Sequence, residues 1–526
     1  MKTSHILAAG ASALALTAAT TLFPADAIAG AHRQLIPLKP LGHFGSQEGP
    51  FVAGAKIKSG TWTDYKGSLP FASGPDTSLL LTDGTVLMHD VCTSNWFKLT
   101  PDKKGKYETG VWSSVAAMPS NYTPLYFGAA ILPDGRLIAN GGEYNANCSG
   151  AWTNLGALYD PVANSWTAVS PPSGWSSIGD AQTMILPTGS YMLADCCATA
   201  EAIAGISGTT VTWTSTGSGK GDENDEEGWT PLPGGNVLTV DANRDLGGGP
   251  NAYEIYNSSK GTWTTPGMTA QELVDPSSHE LGPAVLRPDG NIVYFGATGH
   301  NDLYNTSTGT WSAGPDFPSI GGAQYDCEDA PAALLPDGNV LVQASPGTFL
   351  TPSHFFEFSL KKTKAKLTQV SDPAQAPNSS SYDGRFLELP TGQLLWSFDG
   401  GEVATYTAQG KPMAKWLPVI KSLPKTVSRG STGNTVSGKN FSGFSLGASY
   451  GDDAQMASNY PLLRITNTST GDVCFARTYN FSAMGVFITG TTHAAFDTPS
   501  GCETGASTAQ VVVNGLASTP VNLTVD

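Results

Sequence analysis

Charge is what this chain has least of. Asp, Glu, Lys and Arg make up only 14% of its 526 residues, and Lys and Arg together number 28 against 44 Asp and Glu, for a formal net charge of −16. So few bases on an acidic chain exclude a nucleic-acid binder that works through phosphate contacts. With hydrophobic residues at 40%, the low charge also excludes an acidic disordered chain. No apolar run of membrane length follows Phe23, so no membrane insertion is expected of the mature chain. CxxC and HxxxH spacings are missing, which removes the common zinc frameworks. Gly (61) and Pro (36) are abundant instead. These are turn residues, and they point to a loop-rich, all-β protein.

Lys2 and His5 precede an apolar run from Ile6 to Phe23, and Ala27-Ile28-Ala29 offers small residues at the −3 and −1 positions. The pattern predicts a cleaved signal peptide over 1–29 and a secreted protein, extracellular or periplasmic. All seven cysteines lie beyond it, where pairing is expected, and the odd count leaves at least one thiol unpaired. The adjacent Cys196 and Cys197 could join each other, or pair separately with Cys92, Cys148 or Cys327. Ordinary pairing is the expectation. Sequons such as Asn121-Tyr122-Thr123 matter only in a host that glycosylates.

Self-similarity decides the fold. An apolar run, a turn and a second apolar run recur seven times, as in SLLLTDGTVLMHD, AAILPDGRLIANGG and PAALLPDGNVLVQ. The turn glycines are Gly84, Gly135, Gly189, Gly235, Gly290, Gly338 and Gly392, spaced 46 to 55 residues apart. These are β-hairpins whose strands are apolar on both faces. A Tyr and a Trp seven residues apart follow three of them: Tyr159 and Trp166, Tyr256 and Trp263, Tyr304 and Trp311. Trp112, Trp213 and Trp416 hold the same place in other repeats, and Leu367 replaces the Trp once. Four strands per ~50 residues describe a propeller blade. Trp62, ahead of the first hairpin, either closes the ring on the last blade or decorates it. The expected divisions are an N-terminal extension over 30–54, a seven-bladed propeller over 55–420, a Lys/Ser/Gly/Pro linker over 421–433 and a β-sandwich over 434–526. Cys474 and Cys502 are the natural disulfide of the last part.

The repeat resembles the kelch family, in which such a Tyr and Trp pack blade against blade. Together with the signal and the C-terminal segment SLGASYGDDAQMASNYPLLRI, the architecture is similar to that of the galactose oxidase family. The resemblance implies an immunoglobulin-like (E-set type) sandwich after the propeller. It also implies one copper held by two tyrosines and two histidines, with one tyrosine crosslinked to a cysteine. Propeller ligands would stand nine residues before the turn glycine. Here those positions are Pro75, Tyr126, Asp180, Glu226, Leu281, Asp329 and Asp383. Tyr126 matches the crosslinked tyrosine, but Pro75 stands where the cysteine would be. No Tyr-His dipeptide occurs, and RTYNFSAMG offers Asn480 and Phe481 in place of a histidine. Copper wants imidazole, so a copper-radical oxidase is not expected.

Carboxylates hold the vacated positions: Asp180, Glu226, Asp329 and Asp383, with Asp225, Glu280 and Glu328 one residue earlier. Asp90, Asp195 and Asp241 stand six residues after a turn glycine. The start of one strand and the end of its antiparallel partner share one end of a hairpin, so all these acids map to one face. Crowded carboxylates must be protonated, paired with bases such as Arg244 and Arg385, or neutralised by a cation. Oxygen ligands suit Ca²⁺ or Mg²⁺. Asp180, Glu226, Glu280, Asp329 and Asp383 are the candidate ligand-binding residues. Asp180, Glu226, Asp329 and Asp383, with Asp241 and Asp245 of a partial calcium-loop spacing, are the candidate metal ligands. The competing reading is that these acids cap strand ends. The expected function is a monomeric, non-oxidase propeller that binds an extracellular glycan or other surface ligand by family analogy. The alternatives are a remodelled oxidoreductase, with Tyr126 and His279 or His300 as metal ligands, and a structural or adhesion protein.

Overall fold

Each repeat is organised by its turn. In the first, the Leu81 amide donates to Thr85 O (2.8 Å) and the Gly84 amide to Leu81 O (3.0 Å), while Asp83 Oδ1 accepts from the Thr85 amide (3.0 Å). Gly84 closes the loop at φ 76°, a left-handed conformation that strains residues bearing a Cβ. The same pair of backbone bonds recurs at all six later turn glycines. The loop is a type I turn followed by a left-handed bulge, which fixes the register of both strands.

The computed structural model describes residues 60–244, 248–451 and 456–526. The expected signal over 1–29 and extension over 30–54 lie outside them. The seven hairpins become the inner halves of seven four-stranded antiparallel sheets, arranged as a propeller. The innermost strands are Pro75–Leu80, Gly128–Ile131, Thr183–Ile185, Thr230–Pro231, Ala284–Leu286, Pro331–Leu334 and Gly384–Glu388. Pro75–Leu80 packs against Gly384–Glu388, so the first blade meets the last. The inner strands are buried along their length because blades cover both of their faces.

Thr61–Asp64 closes the ring as the outer strand of blade 7, pairing with Glu402–Thr407 and setting Trp62 opposite Tyr406. The Trp62 ring lies 4.9 Å from Tyr406, 5.1 Å from Phe355 and 6.0 Å from Trp396. Trp62 therefore takes the place assigned to Trp416. Trp416 instead ends the 3-10 helix Ala414–Trp416 and packs under the turn at Gly338, where a Cβ would come within 2.8 Å of its ring. The other outer-strand assignments hold, including Leu367 opposite Phe358.

After the propeller comes a nine-stranded sheet curled on itself. The first half of Val473–Tyr479 pairs with Leu462–Asn467 and its second half with Thr492–Asp497, so one strand serves both layers. Val419–Ser422, across the expected boundary between propeller and linker, and Thr426–Val427, within the expected linker, already form edge strands of this sheet. It packs under the turn ends of the blades: a Cβ on Gly84 would meet the Phe475 ring at 2.4 Å. From it, Ala448–Tyr450 reaches back and pairs with Pro331–Leu334 as a fifth strand of blade 6.

Cys474 bonds Cys502, and Cys92 bonds Cys148. Cys196, Cys197 and Cys327 stay free. Ordinary pairing of Cys196 and Cys197 is thus corrected, because Cys148 is committed to Cys92 and Cys327 is sealed in the core, facing Gln343 O at 3.3 Å. Among the described residues, no helix is long and apolar enough to cross a membrane.

Glu388, on the innermost strand of blade 7, joins the two parts. Its carboxylate accepts from Ser458 Oγ (2.5 Å) and Asn514 Nδ2 (3.1 Å) of the C-terminal sheet. Burial raises its pKa from 4.5 to about 7, against the lowering effect of those two donors. A carboxyl raised on folding adds stability that is fully present below about pH 4.5 and is lost as pH rises through 7. Glu388→Gln should therefore flatten the fall in stability between pH 5 and 8. It should be more stable than the parent at pH 8 by on the order of 2 kcal/mol, read from denaturant midpoints at the two pH values.

Candidate functional site

Chain direction decides which side chains meet. With the turns of all hairpins at one end, the starts of the innermost strands gather at the other. There Glu226, Glu280 and Asp329, from the starts of blades 4, 5 and 6, converge, with one oxygen of each within 4.8 Å of the others. All three are buried, at 6%, 4% and 1% exposure. Glu226 and Asp329 take φ of 57° and 44°, and His279, beside Glu280, takes 66°. Left-handed backbone at such residues costs about 1–3 kcal/mol and persists only where the surroundings enforce it. Gly451, at the end of the C-terminal finger, presses on the group as bare backbone. A Cβ there would lie 2.5 Å from Asp329 Oδ1 and 3.2 Å from Leu281 O.

More acids stand beside this triad. Glu328 accepts from the Thr348 amide (2.5 Å) and Ser278 Oγ (3.2 Å). Burial pushes it up to about 8, helped by the charges of Asp326 and Asp275. Burial likewise lifts Asp326 to about 7.

The other expected ligands are drawn elsewhere, so the structure brings together three of the candidates rather than a ring. Asp180 lies within electrostatic reach of Cys196 and Cys197. Asp383 accepts from the Ser380 amide (2.8 Å), and burial lifts it to about 6. Asp241 groups with Asp222 and Glu227 and pairs with Arg244 at 2.6 Å. Asp245 lies outside the described residues. Asp90 acts as a cap, accepting from the Ala72, Ser73 and Gly74 amides (3.3, 2.8 and 3.1 Å).

His279 Nδ1 faces Asn243 Oδ1 (2.6 Å), and half-exposed His300 pairs with Asp316 (3.0 Å). His89 is sealed in the core, with Nε2 against Thr93 O (2.7 Å). Tyr126 faces the Arg385 guanidinium at 5.4 Å. That guanidinium also lies 3.6 Å from the Tyr450 ring and 3.5 Å from Asp76. A phenol, a fixed guanidinium and carboxylates do not fit the imidazole set that copper takes.

Two features escaped the sequence. Lys220 is fully enclosed and bonds Glu227 (2.8 Å) and Glu254 (2.7 Å). It lies upstream of the DENDEEGW segment, on no register position that marked it. Trp152, Phe349 and Leu350 are exposed apolar side chains, at 39%, 49% and 57%. They sit in loops joining the second and third strands of blades 2 and 6, and so at the acidic end of the propeller. Phe349 packs edge-on against Tyr382 (5.1 Å). Their signal was the bulky apolar residue inside otherwise polar loops, NCSGAWTN and SPGTFLTPS.

No protein-family model matches the chain, and no curated protein does. Among solved structures, a fungal alcohol oxidase of the AA5 family, in complex with copper, is 14% identical, with 86% of this chain and 85% of that one covered and a TM-score of 0.39. The extracellular domain of a hybrid two-component system from B. thetaiotaomicron is 11% identical, covering 89% of this chain and 59% of that one, with a TM-score of 0.46. The WD40 propeller domain of Doa1 is 9% identical, covering 66% and 97%, with a TM-score of 0.40.

Removing Lys220 should expose how much the acids lean on it. Lys220→Met leaves Glu227 and Glu254 buried without their cation, a change that costs about 3–5 kcal/mol. A urea midpoint within error of the parent's would show that the pair is not a structural cation site.

Proposed function

We propose that this chain is a secreted, non-oxidase, kelch-like propeller that binds an extracellular glycan through a hard divalent cation, Ca²⁺ first, held by Glu226, Glu280 and Asp329. One observation carries the reading: three buried carboxylates from three successive blades present oxygens within 4.8 Å of one another. Three carboxylate oxygens at that spacing can share one cation. An all-oxygen set selects Ca²⁺ or Mg²⁺ over softer metals. Three protein ligands leave coordination positions to fill, and paired sugar hydroxyls suit them. Trp152 and Phe349 offer exposed aromatic rings at the same end of the propeller. Such rings supply apolar faces for a sugar, with hydroxyls bound by the polar groups around them.

Calcium titration of the full chain tests the reading. The expected result is one ion per chain, a rise in melting temperature with Ca²⁺, and loss of both in Glu226→Gln, Glu280→Gln and Asp329→Asn. Glycan-array binding should disappear in chelator and return with Ca²⁺. A melting temperature and array profile indifferent to chelator would leave the acids as caps and remove the cation from the function.

A further inference from the structure

Cys196 and Cys197 directly follow Tyr191–Asp195, the second strand of blade 3. Four other cysteines are joined in disulfides, while these two neighbours are free. Along an extended strand, successive side chains point to opposite faces. Cys197 takes φ 66°, which breaks that alternation. The outcome is that both sulfurs meet one atom: each Sγ lies 3.2 Å from Asp225 Oδ1. Both sulfurs and the carboxylate oxygen fall within 4.8 Å of one another.

The surroundings hold this arrangement. Asn243 Nδ2 donates to Asp225 O (2.9 Å), and the Asn224 amide donates to Ala198 O (3.0 Å), which ties the acid's loop to the cysteine turn. Gly179 makes room, because a Cβ there would sit 2.8 Å from Cys196 Cβ. Cys196 is buried, whereas Cys197 and Asp225 are half-buried, which gives an ion a route from solvent.

We propose that Cys196, Cys197 and Asp225 form a binding site for a thiophilic divalent ion of the zinc group, with two thiolate sulfurs, one carboxylate oxygen and one position open toward solvent. Sulfur donors select such ions over Ca²⁺ and Mg²⁺, so this site is chemically separate from the all-oxygen triad. Three protein ligands with an open fourth position is the arrangement of a reactive rather than a purely structural zinc. Binding exchanges protons for the metal: two thiols each release one proton as two metal–sulfur bonds form. Burial, with the charges of Asp180 and Asp225 behind it, raises the Cys196 thiol. Cys197 is pushed up to about 12, its lowering hydrogen bond with Cys196 outweighed by burial and the same two acids. Because the ion must displace both thiol protons, affinity falls as pH falls.

Cadmium is the probe. The full chain, purified without reductant and cleared of metal with chelator, is titrated with Cd²⁺ and followed by ultraviolet sulfur-to-cadmium absorption. The expected band saturates at one ion per chain and weakens at least tenfold in affinity for each pH unit lowered. Cys196→Ser and Cys197→Ser should abolish it, Asp225→Asn should weaken binding at least tenfold, and Cys327→Ser should leave it intact. Bound Cd²⁺ should also protect Cys197 from alkylation. Three results would each overturn the site. One is a band that survives in Cys197→Ser. Another is no band in a chain that titrates three thiols after denaturation. The third is an intact mass two hydrogens low, with Cys196 and Cys197 joined to each other.

Discussion

Everything in this molecule follows from antiparallel pairing around an axis. A left-handed glycine closes each hairpin, so both of its strands share one register and one direction of departure. Repeating that unit seven times puts every turn on one side and every strand start on the other. The turn side is then available for the C-terminal sheet, which packs on it through Phe475, while Trp416 covers the turn at Gly338. The opposite side collects whatever the sequence places nine residues before each glycine.

What it places there is mostly acid, and the fold answers the resulting repulsion in different ways at different points. Asp90 is satisfied by three backbone amides. Glu227 and Glu254 share an enclosed lysine, and Asp76 lies beside Arg385. Glu328 and Asp326 are driven toward the protonated form by burial. The same face therefore combines capping, ion pairing and protonation, and the converging triad of blades 4, 5 and 6 stands within it.

The propeller was legible because its signals are local. The turn glycine, the paired apolar runs and the Tyr-to-Trp interval all lie within one repeat, and counting from the glycine located Glu226 and Asp329. Convergence was not legible, because it depends on how far apart neighbouring blades hold their strand starts. Asp180 and Asp383 occupy the same register as Glu226, yet they lie beside a cysteine pair and an arginine. Trp416 misled for a related reason. A tryptophan at the right interval reads as an outer strand, but the chain had already supplied that strand from residues 61–64. The edge strands at 419–422 and 426–427 were hidden by their Lys, Ser and Pro content, which suits a sheet edge as well as a linker.

The outer strand of blade 7 ties Gly60 to Tyr406 across 346 residues of sequence. Blades 1 to 6 draw their strands from consecutive chain, apart from the added finger strand, and can assemble in order as the chain emerges. Blade 7 cannot, because its fourth strand precedes blade 1 in the chain and its first three follow blade 6. The closed ring is thus reached through a contact of very high sequence separation, which slows folding. Until that strand docks, Glu402–Thr407 is an open sheet edge, exposed to other chains and to proteases.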